Sequence, residues 1–80
     1  MTSSEAVRVA LEIGKKRQTD LAEFWGTTPQ VINNKFRLKR WNATELAQIA
    51  SFTGGRLAFV YPDGQQIYID VPEAESVKEK

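Results

Sequence analysis

The stretch Gln18-Thr19-Asp20-Leu21-Ala22-Glu23-Phe24-Trp25-Gly26-Thr27-Thr28-Pro29-Gln30-Val31-Ile32 decides the fold. Leu21, Ala22 and Trp25 recur at the spacing of one helix face, which predicts a short helix from Gln18 to Trp25. Gly26 then breaks the pattern. Glycine takes the positive φ that a tight turn between helices demands without steric cost. Thr28-Pro29 restarts a helix: the hydroxyl can accept an N–H from the first turn, and proline suits the first helical position. This helix runs from Pro29 to about Phe36, through Val31 and Ile32. Two short helices joined by Gly26-Thr27-Thr28, and locked by Leu21, Ala22, Trp25 and Ile32, make a helix-turn-helix whose second member projects outward.

Upstream, Ser4, Val7, Ala10, Leu11 and Gly14 follow helical spacing, with Ser3 or Ser4 as the expected cap and residues 1–3 frayed. Lys15–Arg17 form a basic connection. Downstream, Trp41-Asn42-Ala43-Thr44-Glu45-Leu46 opens a fourth helix. Asn42 is its cap, Glu45 can reach back to the cap backbone, and Trp41 and Leu46 flank the cap as an apolar staple. Leu46, Ile49, Ala50 and Phe52 continue the helical period until Gly54-Gly55.

The period then changes to two. Leu57, Phe59 and Tyr61 alternate, as do Ile67, Ile69 and Val71. Tyr61-Pro62-Asp63-Gly64 is a turn signal. A type I turn with a glycine bulge pairs Phe59 with Ile67 and Leu57 with Ile69, and sets Arg56 across from Asp70. Leu57, Phe59, Ile67 and Ile69 are expected to cover the helices. Pro72 ends the strand, and the charged residues 72–80 are expected to be a disordered tail. The expected fold class is therefore α+β and mainly helical: four helices over residues 1–55, a β-hairpin over 56–71, and the tail, all in one domain.

Composition narrows the chemistry. The 80 residues contain no histidine and no cysteine. That removes disulfides, zinc fingers, imidazole bases and Ser-His or Cys-His nucleophile pairs, and favours a binding module over an enzyme. Neither a metal nor a cofactor is implied. No apolar run approaches the roughly 20 residues of a membrane span, and no signal peptide opens the chain, so a soluble cytoplasmic protein is expected. The net charge of +1 conceals an asymmetry. Residues 1–41 hold eight Lys and Arg against four acids, and residues 42–80 hold three against six. The basic half suits a polyanion.

The outward face of the third helix is where that charge meets recognition chemistry. Gln30, Asn33 and Asn34 point away from Ile32 and Phe36. Amide side chains can bond adenine N6 and N7 together in the major groove, and two successive asparagines have no stability rationale in a short helix. Gln30, Asn33 and Asn34 are thus expected to contact bases. Gln18, Thr28, Lys35, Arg37, Lys39 and Arg40 are expected at the phosphate backbone. No acid occurs between residues 24 and 44. Trp25, Phe36 and Trp41 are read as core rather than as stacking platforms for single strands.

The pattern Gln18-x-x-Leu21-Ala22-x-x-x-Gly26-Thr27-Thr28-x-x-x-Ile32, followed by Trp41-Asn42-x-x-Glu45-Leu46-x-x-Ile49-Ala50, resembles the phage repressor/Cro-like (XRE) helix-turn-helix family over roughly residues 5–55. Three features depart from it. Arg17 stands where a hydroxyl cap is common, Pro29 where a polar base reader is common, and a hairpin replaces the fifth helix. The resemblance implies a sequence-specific regulator of double-stranded DNA, a repressor at a palindromic operator, with recognition helices of two copies about one DNA turn apart. Such a protein also admits a protein antagonist. Ala58, Val60 and Tyr68 make the second face of the hairpin more apolar than a solvated face needs, and are expected to form a homodimer interface. The competing reading is a protein-interaction module, an inhibitor, antitoxin-like or anti-defence factor on the same scaffold.

Overall fold

The computed structural model describes residues 1–71. Four helices come first: α1 (Ser3–Ile13), α2 (Gln18–Trp25), α3 (Pro29–Leu38) and α4 (Ala43–Phe52). Strands β1 (Leu57–Val60) and β2 (Gln66–Ile69) follow as an antiparallel hairpin. The fold is α+β and mainly helical, and the expected tail over 72–80 lies outside the described residues.

Helix α1 is capped one residue earlier than its serines imply. The cap is Thr2, not Ser3 or Ser4. Its Oγ1 accepts from Glu5 N–H at 3.2 Å, and the Glu5 carboxylate accepts from Thr2 N–H at 2.8 Å. This reciprocal pair satisfies two otherwise orphaned donors. Ser4 is instead buried within the helix. Its hydroxyl donates to Phe36 C=O at 3.3 Å and accepts from Trp41 Nε1–H at 2.9 Å. One side chain thereby ties α1 to the end of α3 and the entry of α4. Gly14 closes α1 with an ordinary φ of −81°. Its role is space: a Cβ there would meet Thr53 at 2.8 Å.

Between α2 and α3, Gly26 has φ 68°, and its C-terminal neighbour Thr27 donates to Ala22 C=O at 2.8 Å. The turn is closed by satisfying the last carbonyls of α2. Thr28 Oγ1 accepts from Val31 N–H at 3.3 Å. Helix α3 continues two residues past Phe36, to Leu38, because Lys39 adopts a left-handed cap with φ 56°. Arg37 therefore belongs to the helix and does not lie beyond it. Asn42 and Glu45 form the expected capping box of α4, at 2.7 and 3.1 Å.

The core is Val7, Leu11, Leu21, Ala22, Ile32, Phe36 and Ile49. Leu21 and Ile32 are both 0% exposed. Burying each stabilises the fold by about 2–3 kcal/mol before entropy is counted. Trp25 and Trp41 pack half-buried against this cluster, and Trp41 meets the Phe36 ring edge-on at 5.1 Å.

The hairpin has the expected register, Leu57 with Ile69 and Phe59 with Ile67. Gly64 N–H donates to Tyr61 C=O at 2.9 Å with Gly64 at φ 92°, and Arg56 pairs with Asp70 at 2.8 Å. Its cover differs from expectation. Leu57 and Ile69 are half-buried, but Phe59 is 58% and Ile67 53% exposed. Strand β1 packs on α4, which covers the Leu57–Ile69 end of the ribbon and leaves Phe59 and Ile67, nearer the turn, largely exposed.

Candidate nucleic-acid interface

Helix α3 buries one stripe and presents its opposite. At about 100° per residue, Gln30, Asn34 and Arg37 lie across the axis from Ile32 and Phe36, and Asn33 lies on the flank between them, about 60° from Phe36. The structure agrees with that geometry: Ile32 and Phe36 are buried, whereas Gln30, Asn33 and Arg37 are exposed. Each of Gln30 and Asn33 carries both a donor and an acceptor on a rigid element, which is what reading a base edge requires.

Asn34 is half-buried, and its Oδ1 accepts from Arg37 Nη2–H at 3.2 Å. Its amide N–H groups remain the part available for a ligand. The same bond holds the Arg37 guanidinium against the outward face, one turn beyond Asn33 and two beyond Gln30. Lys39 and Arg40 follow, both exposed, where the chain reverses after α3.

Lys35 has a different place. Its ammonium donates to Glu45 Oε2 at 2.6 Å in a partly buried pair. Glu45 uses its other oxygen in the cap of α4. Lys35 thus braces α3 against α4, and a phosphate would have to compete with an internal carboxylate for it. Pairing also cancels Glu45, so the acid nearest α3 does not project an uncompensated charge.

Thr28 is exposed with its hydroxyl engaged by the first turn of α3. Gln18 is half-buried at the start of α2. That start has no hydroxyl cap. Instead the Asp20 carboxylate accepts from Arg17 N–H at 2.8 Å and lies 3.6 Å from the Arg17 guanidinium. The backbone hydrogen bond, and then the Arg17 charge, hold the Asp20 carboxyl below its ordinary value.

Two features of the region escaped the sequence reading. Val31 and Leu38, 41% and 46% exposed, add an apolar flank to α3. Their offset from Ile32 and Phe36 along the helical period was the signal for it. The Arg8 guanidinium lies over the Phe36 ring, 5.0 Å from its centre, adding a cation from α1. Ala58, Val60 and Tyr68 share the outer face of the hairpin. Ala58 is half-buried and the other two are exposed.

Among the described residues no helix is long and apolar enough to cross a membrane, and no cluster of acids could hold a metal ion. Comparison with protein-family models, with curated proteins and with solved structures returns no match.

Proposed function

We propose that the protein is a sequence-specific double-stranded-DNA-binding regulator of the helix-turn-helix kind, similar to the phage repressor/Cro-like family, acting as a homodimer in the cytoplasm. The observation that carries this reading is the exposed pair of amides on α3, Gln30 across the axis from Ile32 and Phe36 and Asn33 on the flank beside it. Around them stand Arg37, Lys39 and Arg40, with no acid in the chain between residues 24 and 44.

The amides read base edges while the cations neutralise phosphates and set the register of docking. Asn34 contributes through its amide N–H, and Thr28 and Gln18 approach the backbone from the turn and from α2. Two copies related by a two-fold axis place their α3 helices in successive major grooves about 34 Å apart, on a palindromic site. Occupying such a site blocks a promoter that overlaps it, so the protein represses. The work is done by binding alone, without a cofactor and without turnover.

Selection of bound sequences from random duplex DNA tests the proposal. A palindromic site should emerge, and affinity for it should fall steeply with salt, with a slope set by the phosphates neutralised. Arg37→Glu should abolish binding while the protein remains folded. Failure to enrich any duplex at low salt would overturn the reading.

The bare apolar residues of the hairpin favour one second reading, a module that docks on another protein. A protein partner whose binding survives both Arg37→Glu and Asn33→Ala would support it over DNA recognition.

A further inference from the structure

The first turn of α3 carries an aliphatic side chain that the fold does not use. Val31 is 41% exposed, whereas its neighbour Ile32 is 0% exposed. At about 100° per residue, Gln30, Asn34 and Val31 share one side of the helix, with Asn34 between the other two. Val31 thus edges the outward face on one flank, as Asn33 edges it on the other. Its backbone is pinned, because Val31 N–H donates to Thr28 Oγ1 at 3.3 Å in the bond that caps the helix. Any residue other than proline could make that bond. A β-branched side chain loses rotamer freedom in a helix, so valine is a poorer helix former than alanine or lysine. Neither the core, nor the cap, nor helix propensity selects valine at this position.

The chemistry beside it does call for an aliphatic group. The Gln30 amide suits adenine, accepting from N6–H and donating to N7. An A·T pair presents four groups in the major groove: adenine N7, adenine N6–H, thymine O4 and the thymine C5-methyl. An amide that takes the adenine groups leaves a bare methyl on the thymine side of the same edge. A polar side chain gains little from that methyl, whereas an aliphatic one removes it from water. The N-terminal residues of a recognition helix are the ones that reach base edges, and Val31 follows Gln30 directly in that turn.

We infer that Val31 reads a thymine C5-methyl beside the adenine taken by Gln30, so that the selected DNA is marked by a methyl-bearing pyrimidine as well as by hydrogen bonds. The inference rests on the DNA reading proposed above and names a feature of the duplex that the same site takes. Leu38 is exposed to a similar degree, 46%, on the same flank. It lies two turns further on, about 10 Å along the axis, at the other end of α3. Leu38 is therefore the control and not a second reader.

The test uses the full chain and the duplex obtained by selection from random sequence. Each thymine in turn is replaced by deoxyuridine, which keeps every hydrogen-bonding group and lacks only the methyl. Binding by the wild type should weaken about three- to fourfold for one such methyl. The sensitive thymine should lie at the base pair where Gln30→Ala loses discrimination, or at the pair next to it. In Val31→Ala the uridine penalty should disappear, while discrimination of A·T from G·C through Gln30 persists. Leu38→Ala should keep the penalty. A C·G pair placed at the sensitive position should bind better, by a factor of the same size, when its cytosine carries a 5-methyl group. The uridine series on the wild type needs no variant to fold. Bound duplex without a uridine penalty at either pair, a penalty that survives Val31→Ala, a penalty abolished by Leu38→Ala, or indifference to the cytosine methyl would each overturn the inference and leave the DNA reading standing. If selection enriches no duplex, the DNA reading falls and the inference falls with it.

Discussion

The α2–α3 pair and the hairpin are built with similar local care but complete themselves differently. In the helix pair the turn glycine, the Thr28 cap and the buried Leu21, Ala22 and Ile32 all serve the same geometry. Every apolar residue on the inner stripe meets another inner residue, and what remains outside is polar or charged apart from Phe24 on α2 and the Val31 and Leu38 flank of α3. In the hairpin the turn and register are equally well specified, yet on the inner side Phe59 and Ile67 are each more than half exposed. Local chemistry sets the shape of an element; its cover depends on what lies opposite.

The largest effect expected from breaking this contrast is in the helix pair. Ile32→Ala should cost about 2–5 kcal/mol, the range for truncating a fully buried aliphatic side chain. In a chain of 80 residues that is enough to unfold a large share of molecules at 37 °C. Phe59→Ser, at a position of equal hydrophobicity in the other region, should change the unfolding free energy of the monomer by no more than about 0.5 kcal/mol. Urea unfolding at a concentration where the protein is monomeric measures both. Equal losses would erase the distinction between a closed core and an exposed ribbon end.

Much of this was legible in the chain. Gly26, Thr28-Pro29 and the Asn42–Glu45 box each announce a boundary by a local mechanism, and the Tyr61–Gly64 turn fixes which residues pair. Thr2 was overlooked as the cap of α1, although Glu5 three residues later completes its box. Ser4 then proved to be an internal tie. The end of α3 was hidden because Lys39, not glycine, adopts the left-handed cap. Two facts depend on tertiary proximity and carry no local signal: the Lys35–Glu45 pair, and the bareness of Phe59 and Ile67. Alternation places two residues on one side of a ribbon but says nothing of how far the neighbouring helix extends. At the candidate interface, the residue types on the outward stripe were legible, but the division of labour among them was not.

Next in size is recognition. Asn33→Ala or Gln30→Ala should each remove about 1–3 kcal/mol of discrimination at one base pair of the selected site, with little change in stability. Competition between the selected duplex and single-base variants reads this directly. If both variants weaken all duplexes equally, these amides act on the backbone and specificity resides elsewhere on α3.

Lys35 sharpens the contrast further, because it is a cation on the recognition helix that the structure turns inward. Lys35→Met keeps the side chain's aliphatic length and removes the charge. If Lys35 is a brace, the variant should lose about 0.5–1 kcal/mol of stability, as for a partly exposed ion pair, and keep the wild-type salt slope of DNA binding. If it leaves Glu45 for a phosphate, stability should hardly change and the slope should fall by about one.

The smallest effect belongs to the start of α2, the one helix of the recognition pair without a hydroxyl cap. Asp20 serves in its place, accepting from Arg17 N–H, and its carboxyl is held below the ordinary value by that bond and by the Arg17 charge. A carboxyl lowered by folding favours the folded state wherever it is ionised. Its contribution is present above the unfolded value of about 4 and disappears as pH falls through the lower folded value. Asp20→Asn keeps an acceptor of the same shape but cannot ionise. Its melting temperature should sit slightly below wild type from pH 7 to pH 5, and the two curves should converge in acid below about pH 4. A gap that persists undiminished into acid would mean that the amide has lost packing, not charge. In that case the entry to α2 is held by shape, as the hairpin turn is, and not by an ionised cap.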